Sequence, residues 1–165
     1  MGPDDDDNDF NFDYDDLSEE EKQELERQQQ EEDHRVETHP LNVQANEILQ
    51  MIDVLIETSN NSDMKEMYGS TLRDSAMIII TKLASGLSSD SYQICMQKAA
   101  IIRDHAEYLR LSNHMLTSLE CFDPKYVKAF RDEMEKFREL FIEWAKEIHQ
   151  MDDEVDDEWG LFIKS

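Results

Sequence analysis

The sequence predicts an all-α protein: an antiparallel up-down-up-down four-helix bundle over 39–150, between a disordered to weakly helical acidic arm over 1–38 and a disordered acidic tail over 151–165. Three observations carry this. Apolar residues recur at helical spacings in four separate segments. No run of alternating β-branched residues lies between turn dipeptides, so no strand competes. The formal net charge of −24 is concentrated at the ends: residues 1–40 hold 17 acidic and 3 basic side chains and 151–165 hold 6 and 1, whereas 41–150 hold 17 and 12. The central segment is long enough for one modest core, and short connections between four helices favour the up-down order.

The arm is Asp-rich over 1–17, where like charges repel and four apolar side chains cannot offset the ordering entropy. Ser18 and Glu21 form a capping-box pattern. The stretch that follows, 19–35, has one aliphatic residue, Leu25, so a helix there has nothing to bury and is expected to fray before His39-Pro40. The first amphipathic segment, about 41–58, aligns Leu41, Ala45, Ile48, Ile52, Leu55 and Ile56. Asp63 is the expected cap of the second, with Glu66 as its capping-box partner and a face of Tyr68, Leu72, Ala76, Ile79 and Leu83. Its middle, Ala76 to Ile80, is apolar nearly all round and is expected to be covered on more than one side. Gly86 and Ser88-Ser89-Asp90 end it.

The third segment, about 89–119, has a main face of Cys95, Ala99, Ile102, Ala106, Leu109 and Leu116. The fourth begins with Asp123 as N-cap and Pro124 at the first helical position, with Phe122 and Val127 placed as a hydrophobic staple. Tyr126, Phe130, Met134, Phe137, Phe141, Trp144 and Ile148 then form a heptad-like seam. Arg131, Glu135, Arg138 and Lys146 fall on the opposite face.

Motifs for chemistry are absent. There is no phosphate-cradling Gly-rich loop, nucleophile elbow, zincin motif or Cys-x-x-Cys. A di-iron bundle needs two inward Glu-x-x-His pairs, and only Glu31-x-x-His34 has that spacing. The alternating acids at Asp5, Asp7 and Asp9, and at Asp152, Glu154 and Asp156, lack the glycine of a calcium loop. Asp53, Asp74 and Asp104 lie in rather apolar helices, with Arg73, Lys82 and Arg103 as candidate structural partners. No enzyme, metal or cofactor is therefore expected. No apolar run approaches the ~20 residues of a membrane span. The start has neither the basic segment nor the apolar stretch of a secretory signal, so the expected setting is the cytoplasm, with Cys95 and Cys121 as thiols.

Two features point to partners. The third segment carries a second stripe, Ile101, Tyr108, Leu111 and Met115, on the side away from its core face; a monomer rarely exposes such a patch, so the chain is expected to self-associate there. The arm sets Phe10, Phe12 and Tyr14 among aspartates, a pattern suited to a basic, apolar groove on a protein partner.

Residues 68–88 (YGSTLRDSAMIIITKLASGLS), 92–109 (YQICMQKAAIIRDHAEYL) and 126–148 (YVKAFRDEMEKFRELFIEWAKEI) resemble the four-helix-bundle proteins encoded in 23S ribosomal RNA intervening sequences. Leu72-Arg73-Asp74-Ser75-Ala76 and Leu83-Ala84-Ser85-Gly86 stand where that family has Leu-Arg-Arg-Ala-Ala and Ala-Glu-Gly patterns, with Ser85 for the usual Glu and Asp74 for a frequent Arg. The likeness spans about 42–149, and Asp157 to Phe162 looks like an ending found in a subgroup. It implies a cytoplasmic bundle assembling into a closed ring, a pentamer in that family, with no enzymatic residues. A relative of the family is the accessory protein of diversity-generating retroelements, which binds a reverse transcriptase and nucleic acid through basic surfaces. This chain departs in being acidic, which weighs against nucleic acid. The expected function is a non-enzymatic assembly or adaptor protein that self-associates and binds a protein; the alternative is a nucleic-acid-binding accessory protein.

Overall fold

A computed structural model describes residues 17–152 together with 159 and 160. Its described residues form five helices and no strand: α1 (Glu19–Thr38), α2 (Pro40–Glu57), α3 (Ser62–Leu87), α4 (Tyr92–Ser118) and α5 (Pro124–Ile148). Residues 1–34 and 35–165 are two units.

The fifth helix is the difference from expectation. The polar stretch after Ser18 is a continuous helix of 20 residues and buries none of them. Local interactions account for it. The Ser18 backbone N–H donates to Glu21 Oε2 at 2.9 Å, and the Glu21 N–H donates to Ser18 Oγ at 3.3 Å, closing the capping box. Arg27 pairs with Glu24 and Glu31, one turn to either side. Each such pair supplies only about 0.2–0.5 kcal/mol, so α1 rests on propensity and capping rather than on packing.

Within 35–165, two helix starts differ from the sequence reading. Asn61, not Asp63, caps α3: its Oδ1 accepts from the N–H groups of Asp63 and Met64 at 3.1 Å each. His39 caps α2, its Nδ1 accepting from the Leu41 N–H at 3.2 Å. Pro40 therefore opens a helix, as suits a residue with no N–H to leave unpaired. Ser91 and Asp123 cap α4 and α5.

α2 packs against α3 and α5, and α4 packs against the same two helices. One core runs between them. Leu41, Ile48, Ile52 and Leu55 of α2 meet Leu72, Ile79 and Leu83 of α3, Ile102, Leu109 and Leu116 of α4, and Phe130 and Phe137 of α5, all at most 1% exposed. Gly69 and Gly86 permit close approach: a Cβ at Gly69 would stand 3.1 Å from Ile56, and one at Gly86 3.1 Å from the Trp144 ring. The two loops at one end are tied together, since Ser59 Oγ and the Asn60 N–H both donate to the Cys121 carbonyl, at 3.0 and 3.1 Å. Neither Cys95 nor Cys121 is in a disulfide.

The middle of α3 is not covered on every side. Ala76 and Ile79 are buried and Ile80 packs on the core, but Met77 is 48% exposed. The acidic helix residues also sit nearer solvent than the apolar pattern suggested. Arg73 Nε donates to Asp53, joining α3 to α2 with both side chains more than two-fifths exposed. Asp104 pairs only with its exposed neighbour Arg103.

Candidate functional site

Two surfaces of α4 stand out, on either side of its buried face. The first is apolar. Its residues fall where the helical period turns them away from Cys95, Ile102 and Leu109. Ile101 is 37% exposed, Tyr108 38% and Leu111 51%. Met115 is half-buried and packs on the core, so it belongs to the margin of the stripe. Ile94, in the first turn of α4, is 43% exposed and extends the stripe, although the sequence pattern does not include it. On α3, Met77 borders a shallow depression shared with Asp74, Ile78, Thr81 and Lys82. Phe10, Phe12 and Tyr14 lie outside the described residues, as does most of the acidic C-terminal tail.

The second surface is a cleft of about 590 Å³ between the C-terminal half of α4 and the N-terminal half of α5. Arg110 and His114 reach it from α4, Lys128 and Arg131 from α5, and Glu120 from the turn between them, with Phe122, Pro124 and Val127 as apolar wall. Arg110 is held by Glu107, Nε donating to Oε2 at 2.9 Å and Nη2 to Oε1 at 2.7 Å. That pairing holds the Glu107 carboxyl below the usual carboxylate range and raises the Arg110 guanidinium. Lys128 pairs with Asp132 at 2.6 Å. Glu120 stands at φ 52°, a left-handed backbone that ends α4 without the usual glycine. The sequence places Arg131 and Glu135 on the face opposite the seam; that they line a cleft depends on how α4 lies against α5.

The remaining polar groups read as scaffold. Gln44 Nε2 donates to Glu133 Oε2 at 2.6 Å and to the Glu133 carbonyl at 3.2 Å, joining α2 to α5. Lys136 first and then Gln44 hold the Glu133 carboxyl below its usual range. Burial lowers the His39 pKa, against a smaller upward pull from Glu147. Among the described residues, no group of three or more His, Cys, Asp or Glu side chains could hold a metal ion. No helix of the described residues is long and apolar enough to cross a membrane.

The chain matches no family model, no curated protein and no solved structure.

Proposed function

We propose that this chain is a non-enzymatic assembly or adaptor protein, in which α2–α5 form an antiparallel four-helix bundle that self-associates and binds a protein partner. The observation that carries the reading is the outer stripe of α4, where Ile94, Ile101, Tyr108 and Leu111 are each at least 37% exposed. Large apolar residues scattered singly need no explanation, but a row along one helix marks an interaction surface. A second copy is the occupant that suits it, because closed symmetric assembly covers such a stripe without leaving open ends. A closed ring, pentameric as in the family that the sequence resembles, meets that condition. The protein partner is assigned to the acidic-aromatic arm with Phe10, Phe12 and Tyr14.

Light scattering on the wild type and on Leu111→Glu tests the reading. An oligomer at tens of micromolar that dissociates on substitution supports it. A monomeric wild type overturns self-association, and an oligomer unchanged by Leu111→Glu moves the interface elsewhere.

The second reading, a nucleic-acid-binding accessory protein, draws on the basic residues of the α4–α5 cleft. It ranks behind because the chain's net charge of −24 opposes a long polyanion. Phosphate-driven binding weakens as salt rises, so an electrophoretic shift at two salt concentrations tests it.

A further inference from the structure

The α4–α5 cleft lies away from the apolar stripe of α4. Acidic residues outnumber basic ones 40 to 16 in the chain, yet Arg110, His114, Lys128 and Arg131 converge on this one cleft. Among the arginines of the described residues, Arg131 alone has neither an ion pair nor a hydrogen bond: Arg27, Arg73, Arg103, Arg110 and Arg138 each hold a carboxylate, and Arg35 donates to the Leu87 carbonyl. Asn113, which also lines the cleft, is 6% exposed; its Nδ2 donates to the Arg110 carbonyl while its Oδ1 is buried with no partner. A buried amide oxygen left unpaired is costly and native structures keep few of them; among the described residues Asn42 Oδ1, outside this cleft, is the other.

We infer that this cleft binds a small hydroxylated organic phosphate. Arg131 makes no hydrogen bond or ion pair and so offers a whole guanidinium fork, with the longer-range charge of Asp132 acting on it; the N–H groups that Arg110 and Lys128 do not spend on Glu107 and Asp132, with the His114 imidazole, are the other donors that a phosphate accepts. Glu120 and Glu135, on the same cleft, are acceptors suited to the hydroxyl groups of a sugar or polyol body. The volume of about 590 Å³ exceeds what inorganic phosphate needs and falls within the usual range for small-molecule sites. Size also decides against a polymer. A compact ligand is held by the donors it touches inside the cleft, beside the Glu107 and Asp132 carboxylates that pair with Arg110 and Lys128. A nucleic acid must also lie along the surrounding surface of a chain with a net charge of −24. The inference stands apart from self-association, which uses the opposite side of α4.

Isothermal titration calorimetry of the full chain with adenosine monophosphate, glycerol phosphate, inorganic phosphate and a short single-stranded oligonucleotide tests it. Expected is saturable binding of at least one of the two organic phosphates, tighter than that of inorganic phosphate. Arg131→Ala is expected to weaken it about tenfold or more. Lys146→Ala, which removes an exposed cation paired with Glu143 outside the cleft, is expected to leave it unchanged. Arg131 is exposed and unpaired, so its loss spares the fold; circular dichroism checks this, and Arg131→Gln repeats the measurement if the alanine variant is unfolded. Four results overturn the inference: no saturable binding of either organic phosphate, equal affinity in the folded Arg131 variant, inorganic phosphate binding as tightly as the organic ligands, or binding of the oligonucleotide alone.

Discussion

Phe137 is about 1% exposed in the middle of the α5 seam, with its ring 6.4 Å from that of Phe141. Truncation removes the transfer energy of the ring and leaves a cavity that fixed helices fill only in part. Phe137→Ala should therefore cost about 3–5 kcal/mol in chemical denaturation. A loss below about 1 kcal/mol would put the side chain outside the core. At the start of α2, His39 must be neutral at Nδ1 to accept from the Leu41 N–H. Burial lowers its pKa in the folded chain. A lowered pKa means that the unfolded state takes up the proton first. The contribution is thus fully present above the unfolded value of about 6.5 and is lost as pH falls through the lower folded value. The lowered pKa of Glu133 acts in the same direction, in a window that opens below its unfolded value of about 4.3. Relief of the net negative charge on acidification is common to wild type and variant, so thermal melts should show the wild type losing Tm relative to His39→Asn from pH 7 toward pH 5. The variant keeps a capping oxygen but no titrating ring; the same pH dependence of Tm in both chains would remove His39 as a contributor.

At the scale of elements, α1 and α5 are opposites. α5 has a sustained apolar seam, and its residues Phe130, Met134, Phe137, Trp144 and Ile148 are all buried. Tyr126 and Phe141, on the same seam, pack on the core from its edge. α1 buries nothing and is held by capping and ion pairs of a kind that salt weakens. A chain starting at Arg35 should consequently keep its cooperative melt and lose only the helical signal of α1. Circular dichroism measures both, and loss of cooperativity would mean that residues 1–34 contribute to the core. The periodicity of α5 was legible because its seam is both apolar and long. In α1 the capping box was the legible signal, while its length of 20 residues has no apolar face to announce it.

For the whole molecule, a net charge of −24 stores self-repulsion in the compact state. Raising ionic strength from about 20 to 200 mM shortens the Debye length from roughly 20 Å to under 10 Å and should raise Tm. The chain starting at Arg35, which lacks most of the acidic arm, should show a smaller rise. Equal salt dependence in the two chains would place the repulsion within residues 35–165. These measurements belong at matched protein concentration, since association through the α4 stripe also shifts Tm.

By itself, the sequence determined the helical class, the buried face of each of α2 to α5 and the capping of α5. These follow from residues close together in the chain: a period of three to four, a Pro after an Asp, an apolar pair across the first turn. The same local rules placed Ile101, Tyr108 and Leu111 away from the core face of α4, where they are exposed. Tertiary structure alone decided what local pattern cannot carry. It left Met77 exposed although its neighbours are apolar, because coverage depends on which helices stand alongside. It brought Arg110 and Arg131, separate in sequence, to one cleft, because α4 and α5 pack with those faces turned to each other. It also brought Ser59 and Cys121, 62 residues apart in the chain, into contact at one end of the helices. Spacing along one helix sets a direction, whereas a site between helices requires their packing, which is fixed by the core as a whole.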